Sequence, residues 1–237
     1  MKISVVTPSI RLEMLQIVNK CLNRQTFTDY EWLVVSPFEY AEATWIPEPK
    51  KKDGDFYNLN KAWNAAFKQA KGELIVSIVD GLWFNPRLLE QLWSHYVADK
   101  TKCVGLIGNQ YDEVINGRPE HIMWNDPRRK GEAFYQVDPI MFELCIASIP
   151  KAGIYEVGGM DPEYDQCAAV SEKELCKRME KAGYTFWLDE TIEYRAIYHP
   201  RIKGTDEWDK HYHKAEILYT RHVQEIADGK RYNIGYL

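Results

Sequence analysis

Asp80 is the first residue placed to do chemistry. It closes the run Glu73 to Gly81, E-L-I-V-S-I-V-D-G, in which five of the six residues Leu74 to Val79 are apolar and mostly β-branched. Such a run reads as a strand buried on both faces, a central parallel strand of an α/β sheet. Ligands of open α/β sheets bind beyond the carboxyl ends of the strands, so an acid there is positioned to meet one. Asp80-Gly81 is equally an ordinary turn sequence, and both readings stand at this point. Three other groups call for the same weighing. Glu172 and Glu174 open a helix, where acids complement the macrodipole whatever else they do. Trp124 to Lys130, W-N-D-P-R-R-K, puts three cations in an irregular stretch that reads first as a solvated loop and second as a phosphate contact. His211 and His213 stand two apart on a helix, so their rings diverge and are read as surface.

The elements that must position Asp80 alternate. Ile3 to Val6 is a short strand ended by Thr7-Pro8, and Leu12, Leu15, Val18 and Leu22 recur at helical spacing. Glu31 to Val35 is a second strand, followed by a loop with Pro47, Pro49 and the Lys50 to Lys52 run. Leu59 to Ala70 is a helix that Lys71-Gly72 closes as a glycine cap. After the central strand, Pro86 opens a helix carrying Leu88, Leu89, Leu92, Trp93 and Tyr96, and Cys103 to Ile107 is a fourth strand. Alternation over residues 1–108 implies a mainly parallel sheet with helices on both faces, the nucleotide-binding half of an α/β fold. From Asn109 to Glu132 the periodicity fails, with Asn116-Gly117 as a turn, and the segment reads as one long irregular loop. Phe134 to Ile149 reads as extended and Lys151 to Val157 as a short helix. Ser171 to Ala182 is an amphipathic helix whose Ser171 and Glu174 form a capping box. Strands near Tyr184 to Leu188 and Ile192 to Tyr198 follow, and then a charged helix from Asp206 to Ile226.

Composition narrows the classes of function. The chain has 237 residues, 45% hydrophobic and 27% charged, with a net charge of −5, which suits a water-soluble globule and argues against broad capture of DNA or anionic membrane. Its 8 Trp and 15 Tyr are assigned mostly to the core, with a sugar- or base-stacking cleft as the other use. The five cysteines are scattered without a C-x-x-C pair, as reduced thiols of a cytoplasmic protein would be. The start M-K-I-S-V-V-T-P has no leader pattern, and no apolar run reaches the ~20 residues of a membrane span.

Four blocks in order resemble the family 2 glycosyltransferases, which have the GT-A fold of the nucleotide-diphospho-sugar transferases. They are I-S-V-V-T-P with Arg11 and then Q-T-F-T-D-Y-E-W-L-V-V; N-K-A-W-N-A-A-F-K-Q-A-K-G-E-L-I-V; G-G-M-D; and S-E-K-E-L-C-K-R-M-E-K-A-G-Y. Together they span Met1 to about Arg201. The resemblance implies one GT-A-like domain, with residues 1–108 holding the donor, 109–204 the acceptor and catalytic half, and 205–237 a helical tail. It implies transfer of a sugar from a nucleotide-diphosphate donor, a UDP-sugar by expectation, to a hydroxyl acceptor that is not specified.

The same resemblance assigns residues. Thr7, Pro8, Arg11, Asn64, Asp80 and Gly81 fall at donor-binding positions, and Trp83, Gly158, Gly159 and Asp161 at sugar or acceptor positions. Glu172 matches the general base that takes the acceptor's proton, one methylene longer than the family's Asp, while Glu174 is left as a cap. Asp80 matches the first acid of the D-x-D that helps Mn²⁺ or Mg²⁺ bridge the donor phosphates, with His199 as a further metal ligand. Two departures matter. Leu82 replaces the second acid, and Ser36-Pro37-Phe38-Glu39 stands where the family carries an acidic pair for the uracil ring. They keep alive a sugar-nucleotide-binding module without catalysis. A nucleotidyltransferase would need a glycine-rich cationic loop after the first strand, which T-P-S-I-R lacks.

Overall fold

The computed structural model describes residues 1–115, 118–197 and 205–237. In chain order the elements are β1 (Ile3–Pro8), α1 (Leu12–Leu22), β2 (Tyr30–Ser36), β3 (Thr44–Pro47), α2 (Leu59–Gln69), β4 (Leu74–Ile78), β5 (Leu82–Phe84) and α3 (Leu88–Ala98). The second half adds β6 (Lys102–Ile115), β7 (Arg118–Trp124), β8 (Phe134–Val137), β9 (Ile146–Pro150), α4 (Lys151–Glu156), α5 (Ser171–Lys181), β10 (Thr185–Ile197) and α6 (Asp206–Ala227). The strands form one sheet in the order β3-β2-β1-β4-β9-β6-β10-β5, with β7 on β6 and β8 on β10. Along that path β3, β2, β1, β4, β6 and β10 run one way, and β9 and β5 run the other. The mainly parallel α/β architecture expected from alternation is what forms.

Side-chain alternation divides the core into two layers. Val5, Val34 and Val76 pack with Leu15 and Val18 of α1 and Leu88 and Leu92 of α3. Val6, Leu33 and Ile75 pack with Trp63 and Phe67 of α2, Ile154 of α4 and Leu175 and Met179 of α5. The two halves of the chain are tied by Asp165, whose carboxylate accepts the backbone N–H groups of Asn60 (2.8 Å) and Lys61 (3.2 Å) at the start of α2. A buried acid from 105 residues away thereby satisfies donors that a helix leaves open at its first turn.

Several local expectations are corrected. The stretch read as irregular is an antiparallel ribbon, β6 with β7, and its register pairs Gln110 with Trp124. Ile122, Met123 and Trp124 are exposed in succession on β7, so they give the sequence no alternation to read. The Asn116-Gly117 turn lies outside the described residues. Gly72 caps no helix; a Cβ there would lie 2.4 Å from the Ser4 nitrogen, so glycine is required for close approach to β1. The two last strands are one, β10, with a register shift between Asp189 and Glu193. The capping box does not form. Val170, at φ +57°, precedes α5 with no side-chain cap, and Glu174 turns to a buried guanidinium instead.

Candidate functional site

β4 delivers Asp80 to the edge of the sheet where β1, β2 and β3 also end. Gly81 makes the exit possible. Its φ is +73°, its N–H reaches the Met14 carbonyl of α1 at 3.3 Å, and its carbonyl accepts from Ile197 of β10 at 3.0 Å. Three elements therefore converge on the residue that follows Asp80. Asp80 itself is only 8% exposed. Arg11, the residue before α1, donates from Nε to Oδ2 at 3.1 Å and from Nη2 to Oδ1. The Ser9 hydroxyl donates to Oδ2 at 2.5 Å and accepts from the Arg11 N–H at 3.0 Å. Arg11 and Asp80, both expected near the donor, thus form one forked ion pair, and Ser9 is the member that motif reading missed. Its signal was its place between Pro8 and Arg11, at the end of the first strand. Thr7 is buried and accepts from Trp32 Nε1 at 3.0 Å, so its hydroxyl serves the core. Pro8 ends β1 beside it and is also buried.

The register of β9 against β4 carries the site across the sheet. Ile78 pairs with Ile146, and the Val79 N–H bonds the Cys145 carbonyl at 2.9 Å. Cys145 thus sits one strand over from the residue before Asp80. Glu172, in the first turn of α5, is half-buried; burial raises the Cys145 thiol to about 12, and the charges of Glu143 and then Glu172 add to it. Burial pushes the Glu172 carboxyl above the ordinary glutamate range, and Glu143 adds repulsion, against hydrogen bonds from its own backbone and Ser171. Glu143 is steadied by Arg128 Nη2 at 3.3 Å. Arg128 is itself buried, held by Asp126, and donates to the Met141 carbonyl at 3.0 Å. The W-N-D-P-R-R-K stretch therefore supplies a fixed internal cation here, where the sequence suggested a solvated loop. Arg128 came from the cationic cluster that the sequence singled out, whereas Glu143 and Cys145 carried no motif signal.

The G-G-M-D block is placed differently. Gly158 and Gly159 have φ of +80° and +83°, and the segment after α6 lies on them. A Cβ at Gly158 would come 2.5 Å from the Gly235 nitrogen, and one at Gly159 2.7 Å from Leu237. Ile234 and Tyr236 donate to the carbonyls of Val157 (3.3 Å) and Gly158 (3.1 Å). Asn64 holds Met160 by both its N–H and its carbonyl, each at 2.8 Å. Asp161 is 2% exposed and bonded to Arg231. Arg231 Nε also reaches Glu174 at 2.8 Å, and Arg178 binds both Glu174 oxygens at 2.8 Å and the Gly159 carbonyl at 2.7 Å. The residues expected to face sugar and acceptor are thus covered and cross-linked from within. Spacing of four on α5 could have indicated Glu174 with Arg178. Nothing local indicates Arg231.

Two groups bear on a metal. Around Asp80, Leu82 is 3% exposed inside the core and offers no oxygen, and Trp83 is half-buried under the Arg195 guanidinium, 5.7 Å from its ring. His199 lies outside the described residues. Elsewhere, ligand atoms of Asp161, Glu163 and His222 lie within 4.8 Å of one another. Arg231 on Asp161 and Arg221 Nη2 on Glu163 (2.9 Å) and beside His222 Nε2 (3.0 Å) already neutralise that cluster. Burial, with Arg231 nearby, lowers the His222 pKa. Among the described residues neither group supplies the oxygen-rich cage that Mn²⁺ or Mg²⁺ demands.

No family model and no curated protein matches the sequence. Solved structures do. The chain superposes on S. aureus TarS 1–349 in complex with UDP-GlcNAc with a TM-score of 0.65 at 13% identity, over 94% of this chain and 66% of that one. The UDP complex of the same protein gives 0.64 at 14%, covering 94% and 64%. GalNAc-T7 with UDP, GalNAc and Mn²⁺ gives 0.64 at 14%, covering 84% and 44%. The chain thus spans between 44% and 66% of the length of these structures. The fold is that of the GT-A glycosyltransferases. No helix among the described residues is long and apolar enough to cross a membrane.

Proposed function

We propose that this protein is a glycosyltransferase that moves a sugar from a nucleotide-diphosphate donor, a UDP-sugar, to a hydroxyl acceptor. The observation that carries the reading is a cation-bearing acid at the carboxyl end of β4, with a half-buried carboxylate of raised pKa, Glu172, acting on Cys145, whose carbonyl bonds the residue before that acid. The fold shared with structures holding UDP and UDP-GlcNAc supports it. Residues 1–108 would hold the donor, 109–204 the base and acceptor, with 205–237 bracing that half.

Chemically, a neutral alcohol is a weak nucleophile, so the acceptor O–H must lose its proton as its oxygen attacks the anomeric carbon. Glu172 takes that proton. The bond from the anomeric carbon to the diphosphate oxygen breaks, and the diphosphate leaves with the electron pair. A carboxylate of raised pKa is the stronger base, and its partial exposure leaves it open to an acceptor. The leaving diphosphate needs positive charge, and the Arg11 side of the Asp80 pair is where it is available. A divalent cation on Asp80 and His199 forms no part of this reading, because the oxygen ligands described do not suffice. Gly158, Gly159 and Asp161 act by holding α5, and the half-buried Trp83 is left as the sugar contact.

The test is a thermal-stabilisation screen of nucleotide sugars on the wild type and Glu172→Gln. One nucleotide sugar should stabilise both proteins alike, and only the wild type should turn it over. A variant that transfers sugar at the wild-type rate would refute the assignment. Selective binding with no turnover by either protein, against any acceptor, favours the binding-module reading that Leu82 keeps open.

A further inference from the structure

We propose that Arg11 takes the place of the divalent cation, so that this protein holds its donor's diphosphate without metal. The inference rests on the nucleotide-sugar reading above and adds to it how the phosphate charge is met. Among the described residues Asp80 is the acid at the strand end that could hold a metal in the D-x-D manner, and both of its oxygens are already engaged by Arg11, with Ser9 on Oδ2. A metal ion would have to displace a guanidinium from a carboxylate whose side chain is 6% exposed, or share it at like-charge cost. Leu82 cannot repay that displacement, since it brings no oxygen ligand.

The geometry also leaves Arg11 able to bind. Its Nε and Nη2 face Asp80 side-on, which consumes one edge of the planar fork. The Nη1–Nη2 edge points away, on a side chain that is still 28% exposed. A guanidinium anchored along one edge and open along the other is pre-set for a second anionic partner, and forked N–H donors match phosphate oxygens. Ser9 and Asp80 then act as positioning residues, because they fix the plane in which the open edge lies.

The experiment titrates the full chain with UDP, GDP, CDP and dTDP by calorimetry, in EDTA and again in millimolar Mn²⁺. The preferred diphosphate should bind with the same affinity in both, and the matching nucleoside alone should bind more weakly. Arg11→Gln should weaken diphosphate binding about tenfold or more while leaving nucleoside binding in place, because a charge-assisted contact to phosphate is lost. Arg11→Lys should recover only part of it, a point charge replacing a fork. Binding that disappears in EDTA, returns with Mn²⁺ and is lost in His199→Ala would overturn the inference and leave the nucleotide reading intact. Equal diphosphate affinity in wild type and Arg11→Gln would overturn it too. If no diphosphate binds under either condition, the nucleotide reading falls and takes this inference with it. Should Arg11→Gln not fold, the EDTA and Mn²⁺ comparison on the wild type decides alone.

Discussion

The protein contains two arginine–carboxylate constellations of the same chemistry and opposite setting. At the end of β4, Arg11 and Asp80 form a single fork whose cation keeps a partly exposed edge that no described residue bonds. Around α5, Arg178 and Arg231 close on Glu174 and Asp161, with Arg178 and Glu174 at 0% exposure. In the sealed group every charge is spent on a neighbour, so its effect is on folding and on the seat of helix α5. In the open pair half of the guanidinium is unspent on described residues, and that half is the part offered to a ligand. Exposure of one edge separates a structural ion pair from a binding one.

The largest effect that tests this division is at Glu172, in the first turn of α5 two residues before Glu174. Glu172→Gln should lower turnover by ~10²- to 10⁴-fold, the usual contribution of a general base, with donor affinity unchanged. Steady-state kinetics beside calorimetry measures both, and a parallel loss of binding would show that the side chain shapes the donor site. Next comes the sealed group. Arg178→Met removes one partner of a fully buried pair and should cost ~3–5 kcal/mol of stability in urea unfolding, since Glu174 is left short of charge. A cost under ~1 kcal/mol would mean that Arg231 alone neutralises Glu174, and the two arginines would then be redundant.

The open pair should show the reverse balance. Asp80→Asn should weaken donor binding about tenfold by releasing the Arg11 fork. Its effect on unfolding should stay within ~1 kcal/mol, as for other ion pairs with a solvent-facing member. A large loss of stability with intact binding would move Arg11 and Asp80 into the structural class and erase the contrast.

Much of this was legible in the sequence, and the reasons are local. β4 declared itself by an apolar run ending in an acid, and α1, α2, α3 and α5 by spacing, because burial of one face fixes the period. What was missed depends on distance or on an absent buried face. The β6 and β7 ribbon carries exposed Ile122, Met123 and Trp124, so its pairing is written in backbone hydrogen bonds and not in pattern. The covering of Gly158 and Gly159 depends on residues about 75 positions further on, and Arg231 meets Glu174 across 57 positions. The Ser171 and Glu174 capping pattern was present and unused, since a buried guanidinium is a stronger partner for a carboxylate than a cap N–H.

The smallest predicted effect concerns pH, and here the two glutamates of α5 oppose each other. Burial raises the Glu172 pKa in the folded state, so the unfolded chain ionises first as pH rises. Stability from this residue is therefore full below the unfolded pKa, about 4.3, and declines as pH rises through the folded one. Arg178 and Arg231 outweigh burial at Glu174 and lower its pKa, so its contribution is present above the unfolded pKa and lost as pH falls through the folded value. Glu172→Gln should then melt slightly higher than wild type at pH 7 and lose that advantage near pH 4, whereas turnover of the wild type should rise with pH as Glu172 ionises. Melting curves of the two proteins that run parallel from pH 4 to pH 7 would mean that Glu172 titrates as in water, and the acid limb of turnover would then belong to another group.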